Sequence, residues 1–371
     1  MRLNMPFTDE RELEEIARVL ATGFFTQGPK VAQFENLVAD YLGCKFAFAT
    51  SSCTTALHLA LVVLDISHGD EILVADYTFP ATANVVVQLG ATPVLVDINL
   101  DTFTVNIDDL RSKITSKTRA ILPVHAFGCS ADMDPIVAIA SEYNIPVIED
   151  AACAFGTTYN KQYCGTLGTM GCFSFHPRKA ITTGEGGMIT TNDAALAERI
   201  QLLRNHGGIR TGYWFEYEAA GFNYRLSDIQ GAMGVAQMEM LPWLLQQRRD
   251  RAVQLRNKLR EIDEIVLPEE PVWGGHVYQS FVFLVNEWLD RARMIRALRA
   301  LNIETTLGTY ALHDQPFYQR YYGYSSGQLR FSHKAFTKSI TLPLYPQLSE
   351  MDLDEITKNL KRVIGVQSKN K

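Results

Sequence analysis

Apolar residues recur along the first two thirds of the chain with two alternating periods. Short runs rich in β-branched residues occupy 45–49, 71–75, 92–97, 120–124, 146–149, 170–175 and 187–191. Between them, 55–64, 80–89, 134–143 and 194–204 carry apolar positions at helical spacing. Residues 9–21 repeat that spacing through Leu13, Ile16, Val19 and Leu20. Alternation of this kind predicts an α/β domain with a largely parallel sheet. The later strands come closer together, so the sheet is expected to be mixed. Around residue 240 the pattern changes. Residues 226–259 read as a long helix broken at Pro242. A strand at 278–285, a helix capped by Asp290 and ending at Leu301, a strand at 303–306 and a final helix at 352–364 follow. The pattern divides the chain into a large domain over 1–240 and a smaller C-terminal α+β domain over 241–371.

Composition narrows the function classes. Hydrophobic residues make up 47% and charged residues 20%, the balance of a globular protein. A net charge of −6 gives no basic surface for nucleic acid or an anionic membrane. No apolar run approaches the roughly 20 residues that span a bilayer, and Thr8 to Glu15 is polar and acidic where a secretory leader would be apolar. The six cysteines (Cys44, Cys53, Cys129, Cys153, Cys164, Cys172) show no CxxC or Cys/His ligand spacing. They read as reduced thiols of a cytoplasmic protein, with no metal expected.

Candidate chemistry starts at Lys179. An apolar strand candidate ends in Ser174-Phe175-His176-Pro177, Lys179 follows, and Gly184-Glu185-Gly186-Gly187 comes next. A proline that stops regular structure and a glycine-rich turn pin the lysine at a sheet mouth. Partial desolvation there would lower its pKa and ready the amine for an aldehyde. Thr50-Ser51-Ser52-Cys53-Thr54-Thr55 lies between a strand and a helix. Such a turn offers free amides and hydroxyls to an anion, and equally serves as an N-cap. The apolar strand at 146–149 runs into Glu149-Asp150, at the sheet end where ligands bind in open α/β folds; a plain helix cap is the other reading. Phe79 follows the second strand and can stack on a planar group or join the core. Asn223-Tyr224-Arg225 precedes the long helix and can serve a ligand or anchor that helix.

Taken in order, these segments resemble the DegT/DnrJ/EryC1/StrS family, the sugar-aminotransferase branch of the fold-type I enzymes that use pyridoxal 5'-phosphate (PLP). The resemblance rests on Thr26-Gln27-Gly28-Pro29, Thr54 with Ala56-Leu57, Thr78-Phe79, Val147 to Ala152, Phe173 to Gly187, Asn223-Tyr224-Arg225 and Leu342-Pro343-Leu344. It implies that Lys179 holds the cofactor aldehyde and shuttles protons, and that Asp150 pairs with the pyridine nitrogen. It further implies Phe79 on the ring, Cys153 near the ring's substrate side, and Thr54, Ser174 and the Cys53 amide on the phosphate. Asn223 would reach that phosphate from a partner subunit, making the working unit a homodimer. The substrates implied are an amino acid, by precedent glutamate, and a nucleotide-linked ketosugar in amino-sugar or surface-polysaccharide synthesis. A cyclitol or other non-nucleotide ketone is the alternative acceptor. Thr26, His176, Tyr224, Tyr310 and His313 would bind substrate, with Tyr213-Trp214-Phe215 near the pocket mouth. Three positions depart from the common pattern: Cys53 stands for a glycine, Cys153 for glutamine or glutamate, and Thr309-Tyr310-Ala311-Leu312-His313 for a His-Tyr pair.

Overall fold

The computed structural model describes residues 1–368. Seven strands build the main sheet: β1 (Phe46–Thr50), β2 (Glu71–Ala75), β3 (Thr92–Val96), β4 (Thr118–Leu122), β5 (Ile148–Asp150), β6 (Met170–Ser174) and β7 (Gly187–Thr191). Their spatial order is β1-β7-β6-β5-β4-β2-β3, with the parallel bridges Ile121–Val147 and Val124–Asp150 joining β4 to β5. Within it, β7 runs antiparallel to both neighbours and the remaining pairs are parallel. The sheet is therefore mixed, as the strand spacing implies.

The strands read as continuous apolar runs because both faces are covered. One apolar layer gathers Phe34, Leu241, Phe173 and Phe175; the other gathers Leu57, Leu61, Ile189 and Ile200. The parallel directions bring the C-terminal ends of β1, β2, β5 and β6 to one edge. There the chain leaves the sheet through Ser51, Asp76, Ala151 and Phe175.

The C-terminal part packs the antiparallel strands Ile265–Val266, Phe281–Val285 and Ser339–Leu342 against helices Arg291–Ala300 and Glu350–Ser368. The expected boundary at residue 240 falls inside a helix. One helix, Asp228–Leu259, runs through Pro242 and serves both cores: Leu241, Leu244 and Leu245 in the first, Ala252, Leu255 and Leu259 in the second. The N-terminus also belongs with the C-terminal part. The Leu3 amide donates to Glu304 Oε2 at 3.0 Å, and the Leu344 amide to the Leu3 carbonyl at 3.2 Å.

Pro242 fails to break the helix because packing outweighs one lost hydrogen bond. A Cβ at Gly231 would sit 2.6 Å from Val31 N, so the two backbones meet closely where helix Pro29–Leu42 crosses. Two further expectations shift. The strand at 278–285 begins only at Phe281, since Tyr278 takes φ +49°. Residues 303–306 form no strand and keep a single bridge, Thr306–Thr341.

Candidate active site

The first wall is the turn after β1. Ser52 caps helix Cys53–Val62, its Oγ accepting the Thr55 amide at 3.1 Å. The amides of Cys53 and Thr54 lie in the first turn and have no intrahelical acceptor. They point out with the positive end of the helix dipole, the arrangement that binds phosphate. Thr54 is exposed, while Cys53 turns its side chain into the apolar layer beneath. Burial pushes the Cys53 thiol well above its ordinary range, so it is a neutral core residue. As the first residue of a helix, Cys53 occupies right-handed backbone that any residue accepts. The glycine that close approach requires is Gly187 on β7, where a Cβ would lie 2.4 Å from the Ser52 carbonyl carbon.

The second wall is the end of β5. Asp150 is buried; its Oδ2 accepts the Thr82 hydroxyl at 2.7 Å and its Oδ1 the Ala152 amide at 3.1 Å. Thr78 Oγ1 stands 3.0 Å behind Thr82 Oγ1, completing a two-hydroxyl relay onto the carboxylate. Neither threonine was singled out for this role by the sequence, although their i, i+4 spacing across Pro80 was visible. Glu149 faces the opposite way. It accepts the amides of Gly165, Leu167 and Gly168 at 2.6 to 2.7 Å, and contacts His125 Nε2 at 2.8 Å. His125 Nδ1 accepts the Ala131 amide, so Nε2 carries the proton donated to Glu149. Of the two adjacent carboxylates, only Asp150 is free for chemistry.

Lys179 closes the site from β6. Its turn is tied by the Lys179 amide to the His176 carbonyl at 2.8 Å, by Asn4 Nδ2 to the Pro177 carbonyl at 2.9 Å and by Gln279 Nε2 to the Arg178 carbonyl at 2.8 Å. Gly184, at φ +81°, lets the chain turn back into β7. Lys179 Nζ donates to Cys153 Sγ at 3.1 Å, which brings the substituted cysteine to the reactive amine. Burial pulls the amine's pKa down, but the Cys153 sulfur to which it donates, with Asp150 nearby, outweighs burial and raises it above its ordinary 10.5. The expected lowering by desolvation is thus reversed in the chain alone.

Phe79 stands beside this group with 66% of its surface exposed, an unusual state for a large ring unless something planar covers it. Ser174 is buried and accepts the His176 amide at 3.4 Å. His176 is half-buried; desolvation lowers its pKa, and its Nδ1 accepts the Arg178 amide. Thr26 and Asn223 are exposed, and Tyr310 is 37% exposed on the segment paired with Thr78.

Two expected substrate residues are committed elsewhere. Tyr224 stacks on Phe222 at 4.8 Å and places its hydroxyl 3.3 Å from His58 Nδ1. His313 is fully buried, its Nδ1 2.6 Å from Asp76 Oδ2, so it cannot line a pocket mouth. The sequence placed it on an open loop because Asp76, 237 residues away, gives no local signal. Tyr213, Trp214 and Phe215 belong to an exposed hairpin, Gly208–Thr211 with Trp214–Tyr217.

Free helix-start amides, a buried carboxylate, an exposed ring and an amine on one sheet edge fit a phosphorylated pyridine aldehyde. The comparisons with known proteins agree. The model of the DegT/DnrJ/EryC1/StrS aminotransferase family matches residues 6–361. GDP-perosamine synthase of Caulobacter vibrioides is 38% identical over 97% of this chain and 97% of its own. The spore coat polysaccharide biosynthesis protein SpsC of Bacillus subtilis is 34% identical over 97% of this chain and 96% of its own. Among solved structures, the DesV enzyme of S. venezuelae, in complex with a ketimine intermediate, superposes with a TM-score of 0.88 at 31% identity, covering 95% of this chain and 93% of its own. An aminotransferase of Psychrobacter cryohalolentis gives a TM-score of 0.92 at 28% identity, covering 98% and 99%. The chain belongs to the DegT/DnrJ/EryC1/StrS aminotransferase family and is a PLP-dependent aminotransferase of fold type I.

Proposed function

We propose that this enzyme moves an amino group from an amino acid, glutamate by family precedent, to the ketone of a nucleotide-linked sugar. The observation that carries the reading is the convergence of Lys179, Asp150 and the Cys53–Thr54 amides on one edge of the sheet. Bound PLP supplies an aldehyde that condenses with amines and a ring that accepts the electron pair of a broken C–H bond. Asp150, oriented by Thr82 and Ala152, presents a carboxylate to the ring nitrogen. Lys179 Nζ holds and moves the proton at the reacting carbon. The Cys53 and Thr54 amides, with Ser174, would hold the phosphate. Phe79 would pack on the ring and keep water off it. Cys153, beside Nζ, borders the substrate side. Thr26, His176 and Tyr310 are the acceptor-binding candidates that remain.

The sugar acceptor draws support from relatives whose names specify polysaccharide biosynthesis and a GDP sugar. The working unit in this reading is a homodimer in which Asn223 of the partner subunit contacts the phosphate. The exposed Asn223 and the exposed aromatic hairpin support that arrangement.

The test loads the enzyme with the aminated cofactor and offers a panel of nucleotide ketosugars and free cyclitol ketones. Return of the aldehyde absorbance with a nucleotide ketosugar is the expected result. Return only with a cyclitol ketone selects the alternative acceptor.

A further inference from the structure

His313 has a buried ring nitrogen with nothing to bond. Its backbone amide and its Nδ1 both address Asp76, at 2.8 Å to Oδ1 and 2.6 Å to Oδ2. Asp76 is fully buried and acceptor-only as a carboxylate, so the Nδ1 proton is fixed there. Nε2 is then left as the lone-pair nitrogen. It is buried without a hydrogen-bond partner. Facing it is Asp314, whose Oδ1 lies 3.5 Å away. Beyond Asp314 stands His333, Nδ1 2.6 Å from Asp314 Oδ2, on the helix Arg330–Lys338. One ligand atom from each of His313, Asp314 and His333 falls within 4.8 Å of the others.

A proton on Nε2 is the competing occupant, and the geometry disfavours it. Asp314 Oδ1 already accepts the Ser326 hydroxyl at 2.8 Å and the Gly327 amide at 3.1 Å, which fills its two lone pairs. At 3.5 Å, an Nε2 proton would gain no proper hydrogen bond from it. A cation can take the free His313 Nε2 lone pair and, by displacing the proton shared by Asp314 Oδ2 and His333 Nδ1 and parting that 2.6 Å pair, a lone pair from each of them. An imidazole oriented by a carboxylate through its other nitrogen is the usual second layer of a zinc ligand. Two imidazoles and one carboxylate suit zinc and similar first-row divalent ions, with a fourth position left to water.

We propose that His313, Asp314 and His333 form a binding site for a divalent zinc-class cation, with Asp76 orienting His313. The His333 side chain is 40% exposed and gives the ion a path from solvent. Among the described residues a second cluster, His125 with Glu149 and Cys164, is unlike it, because Glu149 is saturated by three amides and the His125 ring. The bound ion would clip helix Arg330–Lys338 to Asp76 at the end of β2, two residues before Thr78.

The experiment uses the PLP-loaded enzyme, treated with chelator and then dialysed against low-micromolar zinc, with metal counted by mass spectrometry. The wild type should retain about one zinc per chain, and its Tm should rise by about 2–4 °C with zinc. His333→Ala and Asp314→Asn should lose the retained zinc and the Tm response. His333→Cys, which restores a ligand, should recover both. Circular dichroism of the metal-free variants checks that they fold. Equal zinc on the wild type and His333→Ala would assign the metal to cysteines or the cofactor and overturn the site. No zinc on a folded wild type would assign Nε2 a proton and also overturn it.

Discussion

The Asp150 carboxylate takes one bond from Thr82 and one from Ala152, and in the proposed function it serves the ring nitrogen of the cofactor. Thr82→Val keeps the shape and removes the donor. A net hydrogen bond to a charged group is worth about 1.5 kcal/mol or more, so kcat should fall by roughly tenfold with the fold intact. Both half-reactions should slow alike in stopped-flow traces, because each uses the ring as electron sink; slowing confined to one would place the role of Thr82 elsewhere. Asp150→Asn should cost more, since an amide cannot hold a pyridinium proton. Lys179→Ala should lose all measurable turnover while keeping wild-type circular dichroism, and retained turnover would remove Lys179 from the mechanism. The sequence singles out Asp150 because it ends an apolar strand, and Lys179 because it stands in the turn that follows one. The roles of Thr82 and His313 were not legible, because they depend on the direction a side chain takes toward Asp150 and Asp76, set by packing between distant elements. Tyr224 misled for the same reason: its motif named it, and its ring went to Phe222 and His58.

Among the elements, the sheet was legible almost strand by strand, since two-sided burial writes continuous apolar runs. The long helix was misjudged at Pro242 because its packing on helix Pro29–Leu42 is not a local property. Within that helix, Arg248 is buried and donates to the carbonyls of Gln279 at 3.2 Å and Leu344 at 3.0 Å, and to Asn4 at 3.3 Å. Gln279 and Asn4 in turn hold the Lys179 turn. Burial lowers the guanidinium's pKa to about 10, which leaves it charged at neutral pH. Arg248→Met should therefore destabilise the fold by about 2–4 kcal/mol through orphaned carbonyls, read as a shifted urea midpoint. The segment before strand Phe281–Val285 carries a pH dependence. His276 is buried, stacks on Tyr278 at 4.0 Å and accepts the Tyr278 amide at its Nδ1. Burial, with Arg249 adding to it, lowers its pKa from 6.5 to about 3. Between those values the unfolded chain binds a proton that the folded chain refuses, so stability falls as pH falls. This one group contributes a slope approaching about 1.4 kcal/mol per pH unit. His276→Asn keeps an acceptor for Tyr278 and should flatten the acid limb of urea-unfolding stability; an unchanged slope would show that His276 is not the proton acceptor.

At the scale of the whole molecule, the hairpin over 208–217 exposes several large aromatic side chains. Tyr213 is 96% exposed, Tyr217 70% and Trp214 67%, all on the hairpin that precedes Asn223. A patch of this kind marks an interaction surface. The hairpin leaves helix Ala194–Arg204 and returns through Asn223, whose backbone bridges Asn205. Tyr224 then anchors the loop on its own chain, its carbonyl accepting the Ser51 amide at 3.0 Å beside the phosphate turn. The loop is thus fixed at the rim of one site while the Asn223 side chain faces outward. The proposed dimer leaves two cases: Asn223 serves the phosphate of the partner chain or that of its own. Complementation separates the two cases. Lys179→Ala and Asn223→Ala chains, carrying different tags and co-expressed, can be purified as the hybrid dimer. If Asn223 acts in trans, one site of the hybrid holds both residues, and activity returns to about half that of wild type. If it acts in cis, no site holds both, and the hybrid stays at or below the Asn223→Ala homodimer. A fully active monomer at assay concentration would dismiss the shared site altogether.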